Sequence, residues 1–359
     1  MKKIIGIDTS PLYSGHKVRG IGFYTKRLLE AIRELGDKNL VIRELKNKGE
    51  VEKGNYDLLH FPYFSPFFVT LPLRLDKPLV VTVHDLIPIR FKKHYPPGLK
   101  GKMRWQIQKR LLRRTERIIT DSKSSKKDII KCINYPENKI EVIYLAAGEE
   151  FKKLKVKSEK LKVIKEKYQL PDRFALYVGD VNWSKNLPGL VKACRQAETP
   201  LVIVGKQAVA EDFDRSHPEN KDLIWLQKRL KEYPHILNSK FYILALGFVP
   251  SADLVALYNL AAVYAQPSFG EGFGLPVLEA MACGCPVVSS SWGSLPEIVG
   301  KAGILVEPTP ASLAEGIKKV IGDGELRRRL IRAGLKQAKQ FSWAKTARQT
   351  LKVYQFATR

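Results

Sequence analysis

Two glutamates, Glu271 and Glu279, stand at the ends of the segment EGFGLPVLE, with three glycines around the first and an apolar run before the second. Glycines just ahead of a helix let backbone N–H groups approach an anion, and the helix dipole favours negative charge there. Pro276 stands where a helix tolerates proline, so the pattern predicts a helix over LPVLEAMACG that closes near Gly284. A phosphate group would fit on this turn.

The spacing of the two carboxylates limits their chemistry. Eight helical positions span at most about 12 Å. That exceeds the roughly 5–9.5 Å between the two carboxyl groups of a glycosidase, which disfavours hydrolysis. The carboxylates would suit the two ends of a sugar nucleotide, one accepting hydrogen bonds from ribose and the other from the sugar, with the diphosphate between them. A capped core helix is the structural alternative, and these residues alone leave both open.

The elements around this turn are short apolar or β-branched runs between helical stretches, such as KIIGID, LVVTVHD, LVIVG and PVVSS. This pattern predicts two doubly wound α/β domains, and a chain of 359 residues is comfortable for two domains with a ligand-binding cleft between them. The charged stretch 152–173 is expected to link a first domain, 1–170, to a second, 171–341. Residues 342–359 have the periodicity of a helix that covers a surface.

The net charge is +26 and is unevenly distributed. The chain up to Leu170 has 38 Lys and Arg against 19 Asp and Glu, and the remainder has 24 against 17. Such a field favours phosphorylated ligands, anionic lipid or nucleic acid, but no motif for reading nucleic acid accompanies it, so no nucleic-acid partner is expected.

The first apolar run stops at Asp8, too early for a signal peptide, and no run is long enough to span a membrane. Together with four irregularly spaced cysteines, this predicts a cytoplasmic protein.

The basic stretch 99–118 has helical spacing, with Met103, Ile107 and Leu111 on one face and most of its cations elsewhere. It is either a helix packed on the first domain with a solvated face, or a helix that rests on anionic lipid, where each cation contributes about 1 kcal/mol. The second alternative would suit a lipid-linked or cell-envelope acceptor.

Two other places have ligand-binding residue types. His84 ends an apolar strand and precedes Asp85, so it is either a structural hydrogen-bonding residue or a residue at the carboxyl edge of a parallel sheet, where α/β proteins bind ligands. His60 has a similar setting. The triplet DFD at 212–214 has the form of a divalent-cation motif, but it follows a strand within a polar connection, and no metal is expected there.

The segment EGFGLPVLE resembles the E-x7-E motif of retaining glycosyltransferases of family four, which have the GT-B fold. YVGDVNWSKNLPGLVKA resembles the donor-phosphate segment of that family, VVTVHDLIP its histidine strand and GIDTSPLYSGHKVRGIGFYTKRLL its N-terminal glycine loop. FSWAKTARQTLKVY resembles its terminal helix, which implies that residues 342–359 return to the first domain. These matches are spread over most of the chain. They imply two Rossmann-like domains that face a central cleft, the first binding the acceptor and the second the nucleotide sugar.

The resemblance also implies roles for side chains. Glu271 would contact the transferred sugar and Glu279 the ribose of the donor. Lys185 would neutralise the diphosphate leaving group, and His84 would lie beside the reacting carbon.

Backbone groups and glycines take roles by the same resemblance. The main-chain N–H groups of Phe273, Gly274 and Leu275 would bind sugar hydroxyls and phosphate. Gly20 and Gly22 would let a loop of the first domain close over the donor.

One residue departs from the family pattern. Members commonly have an arginine just before the lysine of the KN pair, where this chain has Ser184. Lys185 therefore lacks its usual cationic neighbour, which predicts weaker phosphate binding unless another basic residue, such as Arg19, compensates.

The implied reaction is the transfer of a hexose, of the mannose, glucose or N-acetylhexosamine class, from a nucleotide-diphosphate sugar to a hydroxyl of a glycan or lipid-linked acceptor. Front-face substitution relies on orientation and charge stabilisation, so neither metal nor cofactor is expected.

The expected location is the cytoplasm, with peripheral contact to the inner face of the cell membrane through 99–118. A non-hydrolysing sugar-nucleotide epimerase of GT-B architecture is the alternative enzyme. A basic nucleic-acid-binding protein, suggested by the net charge alone, is a less favoured alternative. A dinucleotide-dependent oxidoreductase is disfavoured because no G-x-G-x-x-G turn follows the first strand.

Overall fold

The computed structural model of the protein describes residues 2–15, 20–73, 76–154, 159–234 and 239–358. The chain divides into two compact units. The first unit is Met1–Ala146 with Phe341–Arg359, and the second is Ala147–Gln340.

The first unit is built on a six-stranded parallel sheet with the strand order β2-β1-β3-β4-β5-β6. Its strands are β1 (Lys3–Asp8), β2 (Leu40–Leu45), β3 (Leu58–Phe61), β4 (Leu79–Thr82), β5 (Arg117–Thr120) and β6 (Ile140–Val142). Its first five helices are α1 (Gly20–Leu35), α2 (Lys48–Lys53), α3 (Ile87–Arg90), α4 (Gly98–Leu112) and α5 (Lys123–Ile133).

The second unit has a parallel sheet of the same size, with the strand order β12-β11-β10-β7-β8-β9. Its strands are β7 (Ala175–Val178), β8 (Leu201–Val204), β9 (Ile243–Gly247), β10 (Val263–Gln266), β11 (Val287–Ser290) and β12 (Ile304–Val306). Its helices are α6 (Glu159–Lys167), α7 (Leu187–Gln196), α8 (Lys221–Glu232), α9 (Ser251–Leu260), α10 (Leu275–Ala282), α11 (Leu295–Val299), α12 (Pro310–Gly322) and α13 (Gly324–Ala338).

The central strands of both sheets are short and apolar. Strands β3, β4, β8 and β10 are buried at every position, as expected for parallel strands covered on both faces by helices. The strand order reverses once in each sheet, between β1 and β3 and between β7 and β10. The predicted α/β class with two doubly wound sheets is therefore confirmed, and each reversal is a place where such sheets bind ligands.

The last helix, α14 (Trp343–Ala357), is part of the first unit. Its apolar side packs along α1, where the rings of Phe23 and Trp343 lie 6.0 Å apart. Tyr354 is fully buried and its hydroxyl lies 2.7 Å from Nδ1 of His60. The periodicity of the sequence in this region thus corresponds to a helix with a buried face.

The boundary between the units differs from the one expected at residue 170, because the charged stretch 152–173 contains α6. This helix buries Leu161 and Ile164, and the side chains of Lys167 and Tyr168 bond to Asp253 of α9. Lysines and glutamates between the apolar positions concealed this amphipathic helix in the sequence. The residues therefore belong to the second unit and not to a linker.

The predicted apolar face of the basic helix was correct at Leu111, which is buried, and at Ile107, which packs against the core, but wrong at Met103. Helix α4 buries Trp105 and Gln108 among others, whereas Met103 is 62% exposed. The buried Gln108 amide donates to the backbone oxygens of Ser65 and Phe68 and to the hydroxyl of Thr70. These partners satisfy the amide nitrogen, whereas the buried Oε1 has no hydrogen-bond partner among the described residues. A pattern of apolar residues does not reveal a buried side chain of this kind.

Candidate active site

The second unit brings two of the predicted residues together at the reversal of its sheet. Lys185 follows β7 and Glu271 follows β10, and these strands are neighbours. The Nζ atom of Lys185 lies 2.7 Å from Oε2 of Glu271. Their side chains are 22% and 10% exposed, so this ion pair is half-buried and reachable from solvent.

The other carboxylate oxygen of Glu271 is held by two donors. Ser268 Oγ and Gln266 Nε2 donate to Oε1 at 2.7 and 2.9 Å, and Gln266 also donates to Ser268. The Gln266 oxygen in turn accepts from the buried hydroxyl of Tyr264. The carboxylate of Glu271 is thus fixed in position by side chains at the end of its own strand.

The glycine turn bends directly into α10. Gly274 has φ +107°, and a Cβ atom there would lie 2.9 Å from Leu295, so both backbone and space require glycine. Leu275 begins the helix and the preceding Phe273 is buried. The hydroxyl of Ser294 donates to the backbone oxygens of Glu271 and Phe273 and ties the turn to the next connection.

Glu279 lies inside α10 and is buried. Burial raises the pKa of its carboxyl to about 7, although the Tyr258 hydroxyl, which donates to it at 2.9 Å, lowers the pKa, and the charge of Glu150 adds to the increase. The two glutamates of the motif therefore have different environments. Glu271 is paired with a cation, whereas Glu279 shares one hydrogen bond in an apolar setting.

The position before Lys185 is not open to solvent. Ser184 is buried, its hydroxyl donates to Asn182, and its backbone oxygen accepts from the N–H of Phe269. Lys185 has a carboxylate beside it at 2.7 Å. Arg19, the suggested compensating cation, lies outside the described residues.

His84 of the first unit lies where three adjacent strands end. Its Nδ1 is 2.6 Å from Oδ2 of Asp121, which follows β5, and its Nε2 is 3.0 Å from the backbone oxygen of Pro62, which follows β3. Burial lowers the pKa of His84, but the Asp121 charge and hydrogen bond outweigh it, with help from Asp85, and the pKa is raised.

His60 has the opposite character. It is fully buried, and its ring nitrogens meet the hydroxyls of Tyr354 and Thr82 at 2.7 and 2.9 Å. Burial, and secondarily the charge of His84, lower the pKa of His60 to about 3. His60 is thus a neutral structural residue, although its sequence setting resembles that of His84.

The two glycines of the N-terminal loop lie at the start of α1. Gly20 is its first residue, where an added Cβ would meet nothing within 4 Å, and Gly22 is buried. A cavity of about 270 Å³ lies at the reversal of this sheet. Polar groups of Asp8, Ser10 and Asn47 line it, together with others from the connection after β3.

No group of three or more potential metal-ligating side chains occurs in the part of the chain that the structure describes. Asp214 of the DFD triplet instead accepts hydrogen bonds from Ser216. Among the helices of the described ranges, none combines the length and the apolar character needed to cross a bilayer.

Sequence reasoning did not single out Asp121, Gln266, Ser268, Tyr258 or Ser294. Some signal for three of them was present. Asp121 directly follows an apolar strand neighbouring that of His84, and Gln266 and Ser268 end the strand before the motif. Tyr258 and Ser294 lie in other elements, so only the fold brings them to the motif.

Two family models match the chain. The model described as "Glycosyl transferases group 1" matches residues 162–337, and the model described as "Glycosyltransferase Family 4" matches residues 15–147. Between them they cover most of both units.

Among curated proteins, the chain is 34% identical over 311 residues to the O-antigen chain mannosyltransferase B of Escherichia coli, covering 83% of this chain and 75% of that protein. It is 31% identical over 275 residues to a serotype-specific mannosyltransferase WbdA of Escherichia coli. That alignment covers 75% of this chain but only 32% of WbdA, so the chain matches about a third of that larger protein.

Among solved structures, the fold matches that of Anabaena HepE, whose crystal structure contains UDP-glucose. The TM-score is 0.73 at 19% identity, with 99% of this chain and 100% of HepE covered. At this identity the likeness concerns the fold.

Proposed function

Because the chain belongs to glycosyltransferase family 4 and has the GT-B fold, we propose that it is a retaining hexosyltransferase that transfers mannose from a nucleoside-diphosphate donor to a hydroxyl of a glycan or lipid-linked acceptor. The observation that carries this proposal is the Lys185–Glu271 pair, 2.7 Å apart at the reversal of the sheet and beside the start of α10. The mannosyltransferase relatives favour mannose over the other hexoses.

In the proposed reaction the bond from the sugar C1 to the phosphate oxygen breaks, and a bond from C1 to the acceptor oxygen forms on the same face. The acceptor proton goes to the departing phosphate. Lys185 exchanges its contact with Glu271 for the diphosphate, and the start of α10, with Phe273, Gly274 and Leu275, adds backbone N–H groups. Glu271 then accepts from sugar hydroxyls.

Glu279 is assigned to the ribose of the donor. A carboxylate that accepts hydrogen bonds from ribose hydroxyls is stabilised by them, so donor binding should lower its pKa from about 7. In the first unit, His84 is assigned beside the reacting carbon. Gly20 and Gly22, at the start of α1, are assigned to a close approach of the backbone to the donor.

The test begins with a panel of uridine, guanosine and adenosine diphosphate sugars, measured by thermal stabilisation of the protein. The stabilising donor is then incubated with candidate acceptors, and the anomeric configuration of the product is determined by NMR. Retention with mannose supports the proposal, and inversion overturns it. Turnover of donor without acceptor would instead identify an epimerase.

We propose that transfer requires no metal or other cofactor, because a lysine and a helix start can neutralise the leaving group. Full activity in the presence of EDTA is the expected result. Activity that is lost in EDTA and restored by Mg²⁺ or Mn²⁺ would contradict it.

We propose that the acceptor binds to the first unit, in the cavity at the reversal of its sheet. Its lining contains hydroxyl, carboxyl and amide groups, including those of Asp8, Ser10 and Asn47, which suit a ligand rich in hydroxyls. The connection after β3 contributes Tyr63 and Thr70 to the same cavity.

That connection also borders an exposed surface that we propose rests on anionic lipid at the inner face of the cell membrane. Phe68, Leu99 and Met103 are 65%, 85% and 62% exposed, and the Arg104 guanidinium lies over the Phe68 ring. Residues 86–115 contain ten Lys and Arg and no Asp or Glu. Large exposed apolar side chains among cations fit an anionic bilayer surface.

This contact is tested by co-sedimentation with vesicles of phosphatidylglycerol and phosphatidylcholine. Met103→Ser combined with Phe68→Ser should reduce binding, whereas Phe248→Ser, an equally exposed phenylalanine of the second unit, should not. Equal binding by all variants, or binding to pure phosphatidylcholine, would contradict the assignment of this surface.

A further inference from the structure

His84 has a hydrogen-bond acceptor against each ring nitrogen. The backbone oxygen of Pro62 lies 3.0 Å from Nε2, and because a carbonyl oxygen can only accept, Nε2 must hold a proton. The carboxylate oxygen Oδ2 of Asp121 lies 2.6 Å from Nδ1, and without a proton between them two lone pairs would face each other. One proton therefore lies between Nε2 of His84 and the Pro62 oxygen, and a second lies between Nδ1 of His84 and Oδ2 of Asp121.

The second proton belongs on the imidazole. A histidine ring is ordinarily the stronger base, with a pKa of about 6.5 against about 3.9 for aspartic acid. The other oxygen of Asp121, Oδ1, is buried and has no hydrogen-bond partner among the described residues, so a proton placed there would be an unsatisfied donor. The carboxylate charge is instead met by a charged His84 ring.

Other groups around His84 allow this charge. The Tyr24 ring packs edge-on against it, with centroids 4.8 Å apart, and burial raises the pKa of Tyr24, so this phenol stays neutral. His60 is neutral because burial lowers its pKa to about 3. Asp85, the next residue in the chain, adds a second negative charge that favours protonated His84.

We propose that Asp121 is a positioning residue that keeps His84 doubly protonated, so that the ring has no lone pair and cannot act as a general base. The catalytic meaning of this proposal rests on the proposed function. In front-face substitution the departing phosphate takes the acceptor proton, so no protein base is required. His84 then contributes a fixed orientation and the positive edge of an imidazolium.

The charge state is measured without substrate, in the full chain with ¹⁵N-labelled histidine, by long-range ¹H–¹⁵N correlation between pH 6 and 8. His84→Gln assigns the signals. Both His84 nitrogens should have the shifts of protonated nitrogens at pH 7, whereas His60 should have one unprotonated nitrogen throughout. An unprotonated His84 nitrogen at pH 7 would overturn the proposal, whatever the enzyme assay gives.

Asp121→Asn removes the charge while keeping the side-chain shape, and should shift the His84 titration to lower pH. Asp128→Asn is the matched control, because Asp128 pairs with Arg90 at 3.5 Å. Asp121→Glu should restore the wild-type protonation of the ring. Unchanged His84 shifts in Asp121→Asn would refute the role of Asp121, and if that variant does not fold, the wild-type spectrum still decides the charge state.

In an assay of transfer, kcat/KM of Asp121→Asn should vary with pH as His84 titrates. In the wild type, where His84 stays protonated, titration of His84 should cause no pH dependence of kcat/KM. The spectra test the charge state of His84, and the assay tests the proposed function, so either one can be rejected without the other. An inactive protein with a doubly protonated His84 would reject the proposed function and leave the structural inference standing.

Discussion

The two units each place a cation against a carboxylate at the carboxyl edge of their sheet, but the two pairs differ in setting. Lys185 and Glu271 meet where the strand order reverses and remain 22% and 10% exposed. His84 and Asp121 lie over strands that run in sequence, with exposures of 17% and 3%, and Pro62 fixes the far side of the ring.

The difference follows from topology. At a reversal the connecting chains leave in opposite directions, so the crevice between them stays open and a cation there can exchange its partner for a ligand. Away from the reversal, neighbouring connections cover the pair. The second unit thus has a cation suited to an incoming diphosphate, whereas the first has one whose charge and orientation are already set.

Of the three variants that test this difference between the units, Lys185→Ala is expected to have the largest effect. It removes the exchangeable cation, and loss of one group that stabilises the leaving-group charge should lower kcat/KM by about 10²–10³. Steady-state transfer kinetics with the stabilising donor give the measurement. Lys192→Ala, an exposed lysine of α7, is the control and should have wild-type kinetics. Equal kinetics for both variants would remove Lys185 from the mechanism.

Glu279→Gln tests the difference between Glu271, which is paired with a lysine, and Glu279, which accepts a hydrogen bond from Tyr258. The folded-state pKa of Glu279 is about 7, above its usual 4.5, so between these values the unfolded chain releases a proton that the folded protein retains. Stability is therefore lost as pH rises, by up to about 3 kcal/mol above pH 7, and the glutamine variant avoids this loss.

Urea unfolding at pH 5 and pH 8 measures this effect. The variant should gain in free energy of unfolding over the wild type as pH rises, while the exposed Glu315→Gln should show no such gain. A constant difference between Glu279→Gln and the wild type would show that the carboxyl does not titrate in this range. Donor affinity should fall in the same variant, because a charged acceptor of ribose hydrogen bonds is lost.

Ser184→Arg probes the smallest of the three effects. The serine is buried and bonded to Asn182, so arginine has no space there and should destabilise the protein by about 1–3 kcal/mol without tightening donor binding. Thermal unfolding and donor titration are measured together. Tighter donor binding at unchanged stability would show that a cation at this position reaches the phosphates.

The sequence by itself determined the two parallel sheets, because strands buried on both faces must be continuously apolar. The sequence also located the glycine turn. Gly274 has φ +107° and no room for a Cβ atom beside Leu295, so this backbone requires glycine, and a glycine is visible in the sequence. The sequence misplaced the start of the second unit, because charged residues conceal α6. It also missed Gln108 on the buried face of α4, because a buried glutamine has no apolar signal.

Only the tertiary structure decided the partners and protonation of the charged groups. His60 and His84 follow similar apolar runs, yet one lies between two hydroxyls and the other between a carboxylate and a carbonyl. Burial lowers the pKa of His60, whereas at His84 the Asp121 charge outweighs burial and the pKa is raised. Glu271 and Glu279 differ in the same way, although one motif contains both. A side chain's charge depends on the desolvation and hydrogen bonds supplied by residues distant in sequence, and these are set when the strands assemble.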